Sequence, residues 1–303
     1  MDGDATLWAT LVASSFTFWG IMAATAKLAV YLSSFLAAGL MLFLVALPLN
    51  NAQLRNSLLQ VAGAASVLAV LTSLWRVMVQ AGRLMDDVAF MTDPEIIAIS
   101  LEGPLGTSSA VRLVGLTVLL IAILLPTLRF SGSLVGSFLV AMSFALTGHA
   151  IRDPQWALAG LVTIHLLAVS FWFGALLPLY RLTSEGQDHD EAARLSHRFG
   201  QQASLVVPVL IAVGGVFAYL LLGSVQAFYG TAYGQMLLVK LVLVALVLGI
   251  AALNKLRLVP ALQAGEINAA ARFRSSLRWE ALVFLGIFGA TALLTTSITV
   301  PTH

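Results

Sequence analysis

The sequence predicts an all-α fold, a polytopic transmembrane helical bundle of about 8 or 9 spans, and three observations carry that expectation. Only 10% of the 303 residues are charged, against about a quarter in a soluble domain. The mean hydropathy is +0.95, so hydrocarbon rather than water is the main solvent of this chain. Apolar runs of roughly 18 to 23 residues recur, the length a helix needs to cross about 30 Å of hydrocarbon at about 1.5 Å per residue.

Nine runs qualify: 7–25, 30–48, 57–78, 110–126, 132–150, 157–179, 203–222, 235–253 and 278–297. The fourth is the weakest, being short with Arg112 just inside it, and eight spans is the other count. The opening Met-Asp-Gly-Asp has neither the basic region nor the small-residue cleavage pattern of a removable signal, so the first run reads as a retained span. Connections are mostly short, which makes residues 1–303 a single integral membrane domain. Three are longer. Residues 81–109 hold five acids against one Arg, residues 180–201 hold Arg181, Arg194 and Arg198, and residues 254–277 hold Lys255, Arg257, Arg272 and Arg274. Lys and Arg near span ends mark the cytoplasmic side. That rule makes 180–201 and 254–277 cytoplasmic loops and 81–109 an outward-facing acidic loop, together with Arg152-Asp153 and the uncharged 223–234. Lys27 and Arg112 fit this orientation less well.

There is no cysteine, which excludes disulfides and thiolate metal sites and leaves His, Met, carboxylate and backbone as ligands. No basic patch interleaved with aromatics exists, so membrane lipid and not nucleic acid is the expected surrounding. No Walker A sequence is present, so the chain shows no ATP-driven pump of its own.

The polar break Arg152-Asp153-Pro154-Gln155 separates two apolar runs, with Asp153 placed to cap the following helix and Pro154 at its first position. Trp156 then meets the interface. His165 lies eight positions past Ala157, about 12 Å deep. His149 lies near the outer end of the preceding run, and Met142 is two turns further down the same face, about 10 Å deeper and level with His165. Imidazole nitrogen and thioether sulfur suit copper, Cu(I) above all, better than magnesium or calcium. His149, His165 and Met142 are therefore the candidate metal ligands, an outer port followed by a deeper station. The plainer reading is a His bonded to a neighbouring helix and a Met filling the core. Against it, ionisable groups inside hydrocarbon are costly and tend to face a bundle interior or an ion pathway. Met22, Met85, Met91 and Met236 offer further sulfur, the last three near the outer surface.

The segment TAYGQMLLVKL, residues 231–241, opens the next-to-last run and places Lys240 a few residues inside it. Lys240 either snorkels to the outer headgroups or serves an anionic partner or a cation barrier. Glu280 begins the last run at the opposite face. It is expected to pair with Arg278 or a loop base, or to act as the acid near an inner exit. Asn254 either satisfies terminal carbonyls or contacts Glu280. Trp172, seven residues past His165 on one helical stripe, is placed to pack beside that site, with aromatic packing rather than ligand contact as its expected role, and Gly174 to permit a close helix approach.

His165 with FWFGALLPL at 171–179, TAYGQMLLVK at 231–240, NKLRLVPAL at 254–262 and RWEALVFLGIFGATALLT at 278–295 resemble the copper resistance D family of bacterial inner-membrane proteins. The resemblance covers the C-terminal half by motif and the N-terminal half by span pattern. It implies a multi-pass protein of the bacterial cell inner membrane, engaged in copper uptake or periplasmic copper homeostasis beside a periplasmic copper-binding protein. His165, Tyr233, Lys240 and Glu280 are the motif positions. Copper ion is then the substrate or ligand, and the chain is a transporter rather than an enzyme. Two other readings stay open: a haem-containing membrane reductase with histidines from two helices as axial ligands, and a non-transporting copper sensor or scaffold. The offset of His149 and His165 in depth counts against a shared haem iron.

Overall fold

A computed structural model describes residues 17–147, 155–184, 189–222 and 229–296. Among these the chain is helical throughout, in the order α1 Phe18–Ala46, α2 Ala52–Met85, a 3₁₀ turn Val88–Thr92, α3 Pro94–Leu101, α4 Pro104–Leu124, a 3₁₀ turn Pro126–Leu128, α5 Arg129–Ala145, α6 Gln155–Leu182, α7 His189–Leu222, α8 Ala232–Leu253, a π-helical stretch Asn254–Leu258, α9 Val259–Gln263 and α10 Ala269–Leu294. Eight segments are long and apolar enough to cross a membrane: α1, α2, α4, α5, α6, α7, α8 running on into α9, and α10.

Local chemistry sets the boundaries. Thr17 accepts the Gly20 amide at 3.2 Å and starts α1, Asn51 accepts the Leu54 amide at 3.0 Å and starts α2, and Thr231 accepts the Gly234 amide at 3.0 Å and starts α8. Each satisfies an N–H that the helix leaves unbonded. Asp86, in the left-handed region at φ 55, ends α2. Asp93 followed by Pro94 starts α3.

Eight candidate spans lie among the described residues. Of run 7–25 only residues 17–25 are described, and the helix Phe18–Ala46 carries these on into run 30–48 without a turn at residues 26–29. Lys27, which lies between the two runs, sits inside that helix, and its ammonium donates to the Thr295 carbonyl at the end of α10 (2.9 Å). The weak fourth run is a full span, α4, that begins at Pro104. The long connections carry helix as well: α2 continues to Met85, α6 to Leu182 and α8 passes through its π-helical stretch to Gln263.

Helix α1 is the hub, packed on α2, α5, α6 and α10, with Val30, Phe35, Leu40, Met41 and Phe43 buried. Lipid tails are as apolar as these side chains, so close packing rather than hydrophobic transfer holds the helices together. The tightest crossing joins α1 to α6. A Cβ on Gly39 would strike the Ser170 carbonyl and lie 2.9 Å from the Gly174 Cα, and a Cβ on Gly174 would strike the Gly39 backbone. The close approach expected at Gly174 is there, with Gly39 as its partner. Gly115 and Gly136 make a similar crossing between α4 and α5, where an added Cβ on either would come within 2.9 Å of the other's carbonyl oxygen.

At the end of the bundle that holds the α1–α2 turn, Glu191 is 4% exposed and accepts the Asn50 amide at 2.6 Å while Arg194 approaches at 3.4 Å. One carboxylate thus ties the α1–α2 turn to the first turn of α7. Glu191→Ala leaves that amide unsatisfied and is expected to cost about 1–3 kcal/mol, read as a lowered midpoint of thermal unfolding in detergent.

Candidate functional site

Helices α6, α7, α8 and α10 surround two groups of polar residues on one stripe of α6. The first is His165. Its imidazole lies close to the backbone of Leu210 and against Gly214, both on α7, and its Nδ1 is buried without a hydrogen-bond partner among the described residues. Of the two ring nitrogens of a neutral imidazole one carries a hydrogen and the other a lone pair, and the lone pair is what a metal ion takes. Lys240, from α8, is near enough to interact electrostatically with the ring. Lys240 therefore belongs to the His165 environment, one turn past Met236 on the same helix.

The second group lies two turns further along α6, about 10 Å away along the helix axis. Trp172 donates its indole N–H to Glu280 Oε1 at 2.6 Å, and Asn254 donates its side-chain amide to Glu280 Oε2 at 2.8 Å. Glu280 is 2% exposed. Each carboxylate oxygen thus has a neutral donor, an arrangement that spreads its charge without an ion pair. The Asn254 carbonyl oxygen Oδ1 remains buried with no partner among the described residues. Asn254 opens the π-helical stretch, a local widening frequent at functional sites. A cavity of about 250 Å³ adjoins this carboxylate, lined by Trp172, Ser196, Ser204, Asn254, Lys255 and Glu280 together with Pro208 and other apolar side chains. Pro208, inside α7, cannot bond back to the Ser204 carbonyl four residues earlier. The Lys255 ammonium contacts the Ser204 hydroxyl at the cavity edge.

Several expectations change here. Trp172 packs edge-on against Phe284, with ring centroids 5.6 Å apart, in the aromatic role expected of it, and its bond to Glu280 is the addition. Arg278 does not pair with Glu280 but lies over the Tyr180 ring at 5.5 Å, and among the described residues neither ion pair involves Glu280. Of the two roles considered for Asn254, contact with Glu280 is the one realised. Glu280 stands near the middle of α10, eleven residues past its start, since that helix begins at Ala269.

Of the candidate ligands, Met142 is half-buried on α5, a helix that packs on α6. His149 lies outside the described residues. Met22 and Met91 sit elsewhere, in a cluster with Trp19, Trp75 and Val79 where α1 meets α2. Met85 is 47% exposed. Among the described residues no group of three or more His, Asp or Glu stands close enough together to hold a metal ion.

Comparison with known proteins places this arrangement. The family profile described as copper resistance protein D-like, N-terminal domain, matches residues 19–157, and that of copper resistance protein D matches residues 193–294. The chain belongs to the copper resistance protein D family. This member, with its eight candidate spans, is a multi-pass membrane protein. It is similar to the inner membrane protein YebZ of Escherichia coli (strain K12), with 32% identity over 120 residues, or 38% of this chain and 41% of that one. The chain thus aligns with about two fifths of that relative's length. No solved structure matches. The second profile spans Glu280, Asn254 and Lys240, and the interval between the two profiles contains His165 and Trp172.

Proposed function

We propose that this family member transports copper across the bacterial cytoplasmic membrane, receiving the ion at the periplasmic face from a periplasmic copper-binding protein. The relative named an inner membrane protein supports that location. The charge pattern supports an orientation with residues 81–109 outside and residues 180–201 and 254–277 on the cytoplasmic side, and the whole of 1–303 acting as one membrane unit.

The observation that carries the reading is the unpartnered Nδ1 of His165 inside an apolar bundle. A buried polar atom without a partner is costly, and a metal ion held by the imidazole is one group that offsets that cost. With His149 as outer port and Met142 as a thioether from the adjacent helix, the ligands are nitrogen and sulfur, which favour Cu(I). Below His165 the same stripe of α6 leads to Trp172, the cavity and Glu280, the acid at the inner exit. Lys240 limits how long a cation rests at His165, in keeping with the need for a conduction site to release what it binds. A membrane potential negative inside adds about 2.3 kcal/mol per charge per 100 mV to inward movement, enough to drive entry without ATP.

The test is mass-detected copper uptake into vesicles of known orientation that contain the purified protein. His165→Ala is expected to lower protein-dependent flux by at least about tenfold, the loss typical of a disturbed metal environment. Flux equal to that of the wild type would detach His165 from transport. A reduced haem band in the visible spectrum of the purified protein would favour the reductase instead. Partner binding with no copper flux from the wild type would favour the scaffold.

A further inference from the structure

Among α1, α2, α4 and α5 lies a second polar interior that the copper path does not use. Arg112, on α4, is fully buried. Its guanidinium donates to the hydroxyls of Ser108 at 2.8 Å, Ser143 at 3.2 Å and Ser73 at 3.5 Å, and stacks 4.3 Å from the centroid of the Phe144 ring. Phe144 in turn touches the Tyr31 ring at 5.2 Å. Lys27 is one turn before Tyr31 on α1, and Arg76 is one turn past Ser73 on α2, so both lie on the helix faces that Arg112 and its contacts occupy. Lys27, Arg76 and Arg112 interact electrostatically with one another, and Arg83 with Lys27. The Arg76 Nη1 atom is buried without a hydrogen-bond partner among the described residues.

Three cations thus converge about 12 to 14 Å from the near ends of α1, α2 and α4, and every polar partner named for them is neutral. Five acids occupy the adjoining 81–109 segment, yet neither ion pair among the described residues draws on them or on the three cations. Hydroxyls and a carbonyl satisfy guanidinium and ammonium N–H groups but do not cancel their charge. Like charges held together in a medium of low dielectric repel strongly, and each buried ion without a counter-charge costs several kcal/mol.

We propose that Lys27, Arg76 and Arg112 form a binding site for an oxyanion of phosphate or carboxylate chemistry. The forked guanidinium matches both groups in a bidentate fashion, and the free Nη1 of Arg76 is the donor left for it. The depth of the cluster places the ligand inside the bundle, reached from the end that bears residues 86–103. Either a soluble anion or the acid headgroup of a lipid drawn in between helices supplies this chemistry.

The experiment uses the full chain, purified in a neutral detergent. Its native mass spectrum is recorded, and its thermal unfolding is followed in sodium phosphate, sodium acetate or sodium chloride at equal ionic strength, and separately with phosphatidylglycerol or phosphatidylcholine. A soluble ligand is expected to raise the midpoint by about 5 °C at a hundredfold excess over its Kd, for phosphate or acetate and not for chloride. A lipid ligand does so for phosphatidylglycerol and not for phosphatidylcholine. Either shift, or an anionic adduct retained in the native spectrum, must disappear in Arg76→Gln, which breaks no bond to the serines and keeps the test valid should Arg112→Gln fail to fold. A bare wild-type chain that none of the anions stabilises overturns the proposal. So does a loss of stability in Asp2→Asn, Asp4→Asn or Asp153→Asn equal to that in Arg76→Gln, which would make the chain's own carboxylate the counter-ion. Copper flux is a separate readout, so failure here leaves the transport reading standing.

Discussion

Gly174→Val is expected to prevent assembly of the bundle, with the variant recovered as aggregate in detergent gel filtration. At this crossing the opposing atoms are the backbone of Gly39 and Leu40, not the flexible end of a side chain, so nothing can rotate aside. Overpacking a soluble core costs about 1–3 kcal/mol. Two hub helices pushed apart along their contact lose more than that, because the dispersion contacts around Phe35, Leu40, Leu176 and Leu179 depend on the same separation. Gly39→Val, which meets the Ser170 carbonyl, is expected to match it. Gly160→Ala is the control in the same helix. An added Cβ there meets nothing within 4 Å, and the variant is expected to gain up to about 1 kcal/mol from helix propensity. A monodisperse, thermally normal Gly174→Val protein would refute the Gly39–Gly174 crossing.

The second large effect is expected at Glu280. Replacement by Leu leaves the Trp172 indole and the Asn254 amide without an acceptor, each a penalty of about 1–3 kcal/mol. The variant should lose about 2–5 kcal/mol of stability, seen as a lower unfolding midpoint, and all copper flux. Glu280→Gln separates the two roles. It keeps one acceptor oxygen and most of the packing, so it should stay folded, while removing the charge that the proposed exit supplies. Flux near the wild-type value in Glu280→Gln, with the protein folded, would reduce Glu280 to a structural tie among α6, α8 and α10.

Much of the fold was legible from length and hydropathy, since crossing about 30 Å of hydrocarbon imposes a run length that composition cannot hide. The family was legible too, in the motifs around His165, Tyr233, Lys240 and Glu280. What escaped the pattern were the partners. Lys27 and Arg112 stood out as charges in the wrong place for a positive-inside count, and the tertiary structure gives the reason: Arg112 is enclosed by serines from α2, α4 and α5, and Lys27 is bonded to the end of α10. The Ser73, Ser108 and Ser143 positions carried a signal, a small hydroxyl facing each side of a buried Arg, but their registers on three helices cannot be aligned without the packing. The bond from Trp172 to Glu280 was not foreseen, and Arg278 was given the wrong neighbour, for the same reason. Both assignments assumed that nearness along a chain or stripe decides contact, whereas a long-range helix pairing decided it.

The sequence by itself determined that this chain is an all-α membrane bundle, where most spans lie, and that Lys27, Arg112, His165, Lys240 and Glu280 are ionisable residues in an apolar setting, though it did not single out Arg76. Only the tertiary structure decided how those residues divide: His165 with Leu210 and Lys240, Glu280 with Trp172 and Asn254, and Lys27 with Arg76 and Arg112. The physical reason lies in the solvent. A helix in water shows which face is buried by the contrast of its two sides. A helix between lipid and protein is apolar on both, so its rotation about its axis is set by small residues such as Gly39 and Gly174 meeting across the bundle.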